Sequence, residues 1–504
     1  MNETQSTLEL LKVAQSTPDA LIKSFVQPGS ATTGLQAYNL EAPSKKLYPV
    51  MTPLRNSIAR VSGGYAIQAN WKAITNINVN NVRAGISEGN RGGLISHSLS
   101  EYYASFKGYG LENNVSFEAN YAAANFEDIK AFAVQQTLEA MMIQEERLIL
   151  GGNNSVALGT TPTPSLALVS GGSLTVSTTY SVICVALGLQ AYLDVVGVNN
   201  GASGQYFDAS SAKVPGQISR TNADASSDTF GGGSAQQSAA ATLATTSGNL
   251  SISATVAKVN GAVGYAWYIG AAGAEKLNAV TSINSVIMTA PSASSAQLAS
   301  ALAVSDNSTC SLDFDGLLSQ AFKSGSGAYV ASQATGTAGT GTPLTSDGAG
   351  GISEFEAAFI YFYNRYRLSP TAIYVSSQEL VNITKKIIGN SGAPLLRLTV
   401  AADNQGQIQA GVVVGEYLNK VTGTKVPLVV HPNMPAGTVF FYTGSLPYPL
   451  ANVGSVARML MRQDYYQLEW PLRTRKYEYG VYADGVLQHY APFSMGVITN
   501  IANG

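Results

Sequence analysis

Hydrophobic and polar positions repeat with a helical period over residues 126–150, FEDIKAFAVQQTLEAMMIQEERLIL. Asn125 can cap the start, acidic residues fill the first turn, and Gly151 and Gly152 end the run, as is typical of a helix. At about 1.5 Å per residue this helix would be roughly 37 Å long. Its apolar positions predict one broad buried face, which would pack on a sheet. They are Ile129, Phe132, Ala133, Val134, Leu138, Met141, Met142 and Leu148.

The chain before this helix has two further patterns. Residues 1–60 are expected to form an arm. It begins with two short amphipathic segments, and the stretch 42–61 at its end is too rich in proline for a helix, so we expect this stretch to be extended. Residues 64–121 alternate in two runs around the flexible sequence SEGNRGG, which predicts a long two-stranded ribbon. An arm and a ribbon of this kind have little core of their own and need another surface to lie on.

After the helix, the helical period disappears until about residue 306. Residues 156–305 are rich in Ala, Gly, Ser and Thr, and short apolar runs alternate with turn residues, which predicts an all-β sandwich. The sequence VNGAVGYAWYI at 259–269 is similar to a strand pair of immunoglobulin-like or fibronectin type III-like modules. We therefore expect a module inserted between two halves of another domain, with its two ends close together.

Helical and mixed patterns resume in residues 306–504. Two Ser-x-x-Glu sequences, which begin at Ser353 and Ser376, predict capping boxes at the start of two helices. Residues 426–442 predict a hairpin around PNMPAG, and the last stretch predicts strands that turn at residues 483–485.

The composition narrows the class of protein. The chain has 504 residues with a net charge of −2, so its overall charge gives no reason to expect nucleic-acid binding. Charged residues make up only 12%, about half the usual share. Either much of the surface is buried against copies of the same chain, or the Gly- and Ser-rich middle dilutes the charges.

Nothing in the sequence predicts export or a membrane span. The first residues lack the basic and apolar regions of a signal peptide, and the most apolar run, 182–198, contains Gln190 and Asp194. The 2 cysteines are far apart and make neither a disulfide framework nor a zinc site.

Signatures of catalysis and of cofactor binding are missing from the sequence. It contains no phosphate-binding loop, no GxSxG turn and no HExxH helix. The 3 histidines, His97, His431 and His489, are scattered, so we expect surface or hydrogen-bonded polar roles. Residues 458–479 mix basic and aromatic side chains, as single-stranded nucleic-acid binding would require, but arginines that pair with Glu469, Glu478 or a neighbouring subunit explain the pattern better. We expect no enzyme, no metal and no cofactor.

In this order, the elements resemble a tailed-phage major capsid protein of the HK97-like fold. The resemblance covers about residues 1–155 and 306–504, and the collinear series carries it rather than any single pattern. The patterns are LYPVMTPLRNSIAR at 47–60, SEG at 87–89, ERLILGG at 146–152, FDGLL at 314–318, LSPTAIYVSS at 368–377, VHPNMPAGTVFFY at 430–442 and VYADGVLQHYAPFSMGVITNI at 481–501.

The resemblance implies an α+β fold with an inserted β-sandwich that departs from the minimal family pattern. It also implies self-assembly as pentamers and hexamers into an icosahedral shell that encloses double-stranded DNA, in the cytoplasm of a bacterial host. Further implied partners are a portal protein and scaffold, protease or decoration proteins, but no membrane. The implied parts are an N-terminal arm at 1–60, an E-loop with peripheral strands at 61–125, a spine helix at 126–155, the insertion at 156–305, an axial domain at 306–455 and closing strands at 456–504.

The resemblance implies contacts between subunits rather than a catalytic centre. Some members of the family crosslink a loop lysine to an asparagine of the neighbouring subunit, and Lys107 lies in the expected loop here, although no motif identifies its partners. The candidate contact residues of the arm and the loop are Arg55, Arg60, Glu88, Arg91 and Lys107.

Two other classes remain open. An encapsulin-like nanocompartment shares the fold, and a neighbouring portal gene or cargo gene would distinguish it from a capsid. A surface adhesin or carbohydrate-binding protein with an immunoglobulin-like module would be expected to carry an export signal or a membrane anchor.

Overall fold

The computed structural model describes residues 44–78, 82–124, 126–196, 207–302, 304–389 and 414–502. The two amphipathic segments expected at the start of the arm lie outside the described residues. The described chain contains both helices and strands, and the strands come in long runs rather than in alternation with the helices, which confirms the predicted α+β class. The helices are α1 (Pro53–Ser57), α2 (Phe117–Ala122), α3 (Ile129–Gly151), α4 (Leu189–Val196), α5 (Leu317–Phe322), α6 (Ser353–Tyr366) and α7 (Ser377–Gly389). The strands are β1 (Ala59–Ser62), β2 (Gln68–Asn76), β3 (Ser98–Ser105), β4 (Lys107–Ser116), β5 (Ser165–Val169), β6 (Thr179–Leu187), β7 (Gln217–Thr221), β8 (Ser227–Gly231), β9 (Ala241–Ala244), β10 (Ser251–Thr255), β11 (Gly264–Gly270), β12 (Lys276–Thr281), β13 (Ser285–Met288), β14 (Tyr329–Ser332), β15 (Ala372–Val375), β16 (Glu416–Leu418), β17 (Lys425–Val430), β18 (Val439–Tyr442), β19 (Ala457–Glu469), β20 (Lys476–His489) and β21 (Gly496–Thr499).

The long helix α3 has 23 residues and begins three positions later than predicted. Asp128, which was expected in the first turn, is its N-cap: the carboxylate accepts hydrogen bonds from the backbone N–H groups of Lys130 and Ala131 at 3.1 and 3.3 Å. The predicted cap, Asn125, lies outside the described residues. The predicted end is confirmed, since Gly152 follows the last turn as the C-cap.

The buried face of α3 differs from the predicted one. Met141 and Ala133 are buried as expected, but the other six predicted apolar positions are only half-buried. Two glutamates take part in the buried face instead, which apolar periodicity cannot predict. The buried residues are Ala133, Thr137, Met141, Glu145, Glu146, Ile149, Leu150 and Gly151.

A four-stranded sheet of order β1-β19-β20-β4 packs beside α3. The turn predicted at 483–485 is wrong, because these residues lie inside β20, which runs for 14 residues. Gly485 pairs with Lys107 on one side and with Met461 on the other. A side chain at Gly485 would come within 2.5 Å of the Met461 sulphur, so glycine meets a packing need here rather than a turn.

The arm is extended over its described part except at α1. Pro53 occupies the first turn of this five-residue helix, where the N–H that proline lacks would have no intrahelical partner. The expectation that residues 42–61 contain no helix is therefore wrong for 53–57. The arm then continues as β1, which pairs in parallel with β19.

The predicted ribbon is a hairpin of β2 and β3, which pair with each other alone among the described strands. It is shorter than expected, because the returning chain leaves the hairpin at Phe106 and β4 joins the four-stranded sheet. Lys107 is the first residue of β4, opposite Gly485. The expectation that Lys107 belongs to the projecting loop is thus wrong.

Residues 156–305 contain two sheets, of orders β13-β10-β5 and β12-β11-β6-β9. Both contribute to one apolar cluster that includes Ile252, Met288, Cys184 and Trp267, which is the arrangement of a sandwich. The segment is not all-β, however, because it contains helix α4 and the separate hairpin β7–β8. Its independence as an inserted domain stays a prediction.

A six-stranded mixed sheet of order β14-β21-β18-β15-β17-β16 forms the remaining layer. The predicted hairpin around PNMPAG is wrong, since β15 lies between β17 and β18 and pairs with both. The first capping box is also wrong: Ile352 is the N-cap of α6, and Glu356 accepts a hydrogen bond from Tyr417 instead. The second capping box is half correct. Ser376 Oγ accepts from the Glu379 N–H at 3.2 Å, but the Glu379 carboxylate accepts from the Gly437 N–H and does not bond back to Ser376.

The pH dependence of stability should carry a contribution from Glu379, which is buried at the start of α7. Burial raises the pKa of this carboxyl to about 7 in the folded chain, although the Gly437 N–H donates to it at 3.0 Å. The folded state therefore binds the proton more tightly than the unfolded state. The contribution of Glu379 to stability is fully present below the unfolded pKa of about 4.5, and about 3 kcal/mol of it is lost as pH rises through 7.

The substitution Glu379→Gln should remove this contribution. Chemical denaturation at pH 5 and pH 8 measures it: the wild type should lose more stability between the two values than the variant. Glu416→Gln, at an exposed position, is the matched control and should behave as the wild type. An equal loss in the wild type and in Glu379→Gln would contradict the prediction.

Candidate functional site: two buried carboxylates on the long helix

Two adjacent glutamates near the end of α3 are completely buried. Glu145 and Glu146 both have 0% of their surface exposed. Glu145 lies on the same helical stripe as Met141 and Ile149, because residues four apart share a face. A buried carboxylate needs charged or hydrogen-bonding partners, and both glutamates find theirs on distant parts of the chain. We call Glu145, Glu146 and their partners the carboxylate pair.

Glu145 accepts four hydrogen bonds from four elements, which are α1, β1, β4 and β19. Arg55 Nε donates at 3.0 Å, Arg60 Nη1 at 2.5 Å and the Tyr109 hydroxyl at 2.6 Å, and the Tyr465 hydroxyl donates as well. The ring of Tyr465 also lies 4.5 Å from the Arg60 guanidinium carbon and 5.3 Å from that of Arg55. One carboxylate therefore holds the arm, β4 and β19 against the long helix.

The pKa shifts of its partners follow from burial and from the charge of Glu145. Burial and the nearby carboxylate raise the pKa of Tyr109 well above its usual value and that of Tyr465 to about 12. Burial alone would lower the pKa of Arg60, but its hydrogen bond to Asp464 and the charge of Glu145 raise it. Both tyrosines are thus fixed as donors and the arginine as a cation.

Glu146 closes the first turn of α1. Its two oxygens accept from the backbone N–H groups of Leu54 at 2.9 Å and Arg55 at 2.7 Å. These N–H groups have no partner inside a helix that starts at residue 53, and Thr52 supplies no side-chain cap. The carboxylate therefore does from a distance what a capping side chain does locally, which explains why a proline-rich stretch turns into a helix.

His431 links Glu146 to the six-stranded layer. Its Nε2 lies 2.5 Å from Glu146 Oε1, and its Nδ1 accepts from the Asn433 N–H at 3.1 Å. The tautomer with hydrogen on Nε2 satisfies both contacts. Glu146 thus joins the arm, the long helix and the loop 431–438 at one buried point.

The carboxylate pair has the chemistry of a fixed ion network rather than of a reaction centre. Glu145, Glu146 and His431 are all fully buried, and Arg55 and Arg60 are largely so. In the part of the chain that the structure describes, no three His, Cys, Asp or Glu residues come together as metal ligands would. The network can hold the described part of the arm in place against the long helix.

The candidate contact residues from the sequence fall into three groups. Arg55 and Arg60 belong to the carboxylate pair and bond within the chain. Glu88 and Arg91 are exposed in the connection of the β2–β3 hairpin. Lys107 donates to the carbonyl oxygen of Ser311 at 2.5 Å. Contacts of these residues with another subunit stay a prediction.

Sequence reasoning missed Glu145, Glu146, Tyr465 and the role of His431. A signal was present, because a glutamate on a stripe with Met141 and Ile149 must either be exposed or have a buried partner. The expectation for histidines holds for His431 and for exposed His97, but not for His489. Burial lowers the pKa of His489 to about 3, and neither ring nitrogen has a hydrogen-bond partner among the described residues.

The basic and aromatic residues of 458–479 pair as expected of a sheet, but with other partners. Arg462 pairs with Asp484 and Arg475 with Glu118, rather than with Glu469 or Glu478. Arg458 donates to Gln488 at 2.9 Å. These contacts favour the structural interpretation of the cluster over nucleic-acid binding.

The chain is similar to known proteins in structure but not in sequence. No model of a protein family and no curated protein matches the sequence. The structure is similar to the capsid of Myoviridae phage XM1, with 10% identity, a TM-score of 0.40 and coverage of 94% of this chain and 100% of that one. It is also similar to the capsid of a native GTA particle, with 7% identity, a TM-score of 0.40 and coverage of 93% and 96%. An encapsulin of Synechococcus elongatus gives 9% identity, a TM-score of 0.36 and coverage of 92% and 93%.

At these TM-scores the likeness carries no argument of its own. The described helices include none that is both long and apolar enough to cross a membrane.

Proposed function

We propose that this chain is a major capsid protein, which self-assembles as pentamers and hexamers into an icosahedral shell around double-stranded phage DNA. The β2–β3 hairpin is the observation that carries the proposal. A two-stranded hairpin is marginally stable in water by itself, and this one bears apolar side chains that the described chain leaves uncovered. They are Ile74 (64% exposed), Ile77 (50%), Ile86 (57%), Leu94 (91%), Ile95 (53%), Leu99 (60%) and Tyr103 (70%).

The hairpin is anchored at its base and exposed beyond it. Trp71 packs edge-to-face against Tyr490 of the body at 5.8 Å between ring centroids, and the Phe106 N–H donates to Ile67 O. Farther out, Ile74 and Leu99 face each other across the strands and are both mostly exposed. Neighbouring apolar side chains that are left this exposed mark an interaction site. A second copy of the chain is the partner that the resemblance implies.

The described part of the arm adds a second uncovered apolar segment. Leu47 is 91% exposed and Met51 is 55% exposed, although Lys46 and Tyr48 bond to Glu139 of the long helix. The segment therefore follows α3 with its apolar side chains turned outward. Burial of such surface between subunits stabilises an assembly by about 25 cal/mol per Å².

The further partners and the location follow from the proposal and share its support. A shell of this class would join a portal protein, and it would assemble in the host cytoplasm with scaffold, protease or decoration proteins. It would meet the packaged DNA by proximity rather than by a specific site. The mature protein would then reside in the virion capsid.

Removal of apolar surface from the hairpin should weaken assembly. The double variant Ile74→Thr with Leu99→Thr keeps residues that favour strands but loses two contacts worth about 1.5–3 kcal/mol each when buried. We expect assembly to require at least about tenfold more protein, measured by light scattering over a concentration series.

The matched control is Leu450→Thr, which removes an apolar side chain that is 97% exposed on a loop of the body. It should assemble as the wild type does. Far-UV circular dichroism and thermal unfolding should be equal for all three proteins. Unchanged assembly of the hairpin variant, or a wild type that stays monomeric at every concentration and ionic strength, would refute the proposal.

A further inference from the structure

Residues 156–305 begin and end beside the end of the long helix. The Cys310 N–H donates to Asn153 O at 2.7 Å, and the Asn153 side chain donates to Ser308 O at 2.9 Å. Asp315 accepts from the N–H and from the hydroxyl of Ser155 at 3.0 and 2.6 Å. The two ends of the segment are thus joined to each other next to α3.

Helix α4 of the segment extends this first attachment. Arg147 of α3 pairs with Asp194 of α4 at 2.8 Å. Leu189 of α4 lies so close to Gly151 that a side chain there would come within 2.2 Å of a Leu189 methyl carbon. Glycine at 151 therefore permits the two helices to touch. A loosely tethered module would show no such contact.

The apolar core is continuous across the same boundary. Alternate residues of β6 face opposite sides of its sheet. Val182, Cys184 and Ala186 face the core between the two sheets of the segment. Ile183, Val185 and Leu187 belong instead to the cluster that contains Met141 and Ile149 of the long helix.

A second attachment joins the segment to the six-stranded sheet. The Asn284 N–H donates to Asn500 Oδ1 at 2.8 Å, and the Asn284 side chain donates to Thr335 Oγ1 at 3.0 Å. Nearby, the Gly339 N–H donates to Ser285 Oγ at 3.0 Å. Asn284 and Asn500 are 1% and 5% exposed, so water does not compete for these bonds.

Asn500 is the central residue of this second attachment. It directly follows β21 with φ 62°, a left-handed conformation that asparagine tolerates better than most residues. Its Oδ1 accepts from Asn284, and its Nδ2 donates to Gln333 O at 2.8 Å. The oxygen of the buried Asn500 amide thus bonds to the segment, and its nitrogen bonds to the chain after β14.

We infer that residues 156–305 act as an internal brace, which fixes the orientation of the six-stranded sheet relative to the long helix. Parts of a chain joined at one place can move relative to each other unless their interface is large. Here the six-stranded layer already contacts α3 directly through His431 and Glu146. The segment is attached at the end of α3 and, separately, at β21. The helix α3, the segment and the sheet therefore form a closed loop, in which the segment supplies the second connection. This role goes beyond assembly and applies to the unassembled chain.

The test is a distance distribution between the two bodies that the brace connects. Cysteines are introduced at Gln144 in α3 and at Glu416 in β16, both of which are exposed, and each carries a spin label. Pulsed electron paramagnetic resonance on the unassembled protein then measures the distribution of distances between the two labels. The native cysteines, Cys184 and Cys310, are buried. We expect Asn500→Gly, which keeps the backbone conformation available, to widen the distribution about twofold.

The matched control is Asn452→Gly, because Asn452 also has a left-handed φ of 52° but is exposed and outside the brace. It should leave the distribution narrow. If Asn500→Gly does not fold, Ser285→Ala combined with Thr335→Val weakens the same attachment and should widen the distribution. A distribution as narrow as that of the wild type in a folded variant would overturn the brace. Because the measurement needs no assembly, it fails or succeeds independently of the shell.

Discussion

Glu145→Ala is expected to lower the apparent free energy of unfolding by about 3–5 kcal/mol, because it breaks a buried ion network by removing one partner. Arg55 and Arg60 would keep their charges with little water around them, and the hydroxyls of Tyr109 and Tyr465 would lose their acceptor. Denaturation by guanidinium chloride, followed by circular dichroism and tryptophan fluorescence, measures the loss.

The control for this substitution lies one residue earlier. Gln144→Ala is on the exposed side of α3 and removes a side chain of similar length, so it should change stability by less than about 0.5 kcal/mol. Replacement of Glu145 together with both arginines by methionine should recover the part of the loss that comes from the unpaired arginine charges, since an apolar core can substitute for an ion network. Equal stability of Glu145→Ala and Gln144→Ala would show that the network contributes nothing.

Met141→Asp is expected to cost at least about 4 kcal/mol or to prevent folding, because it places an unpaired charge in the largest apolar cluster around α3. Met141 is 1% exposed and packs in the cluster that joins the long helix to residues 156–305. Soluble yield and the midpoint of denaturation are the measurements.

Two variants separate charge from shape at this position. Met141→Leu keeps the volume and should cost less than about 1.5 kcal/mol. Gln144→Asp introduces the same charge three residues away on the exposed side and should be tolerated. Comparable yields of Met141→Asp and Gln144→Asp would mean that the buried face of α3 is assigned wrongly.

Because the arm supplies donors to the carboxylate pair, a deletion of the arm would affect folding as well as assembly. Deletion of residues 1–60 would remove Arg55, Arg60 and α1, and with them every arm donor to Glu145 and Glu146. Such a truncation would therefore test folding and not assembly. The hairpin variants avoid this confusion, because the exposed side chains of Ile74 and Leu99 lie outside the apolar clusters of the body.

Local patterns in the sequence identified most elements but not their neighbours. The helical period of 126–150 predicted α3 to within a few residues, and the apolar run within 259–269 predicted β11, although one strand lies there and not a strand pair. The turn chemistry of Ala483-Asp484-Gly485 was misleading, because strands on both sides hold these residues extended. The PNMPAG sequence does turn the chain, yet β15 separates the two strands that it connects.

By itself, the sequence determined the long helix, the apolar hairpin and the strand-rich segment 156–305, because residues close in the chain set the period of burial. Only the tertiary structure decided which polar groups are buried and what satisfies them. Glu146 meets Leu54 across 92 positions and His431 across 285, and Glu145 meets Tyr465 across 320. A carboxylate can enter a core only if its partners arrive from elsewhere, and no local pattern records which distant residues those will be.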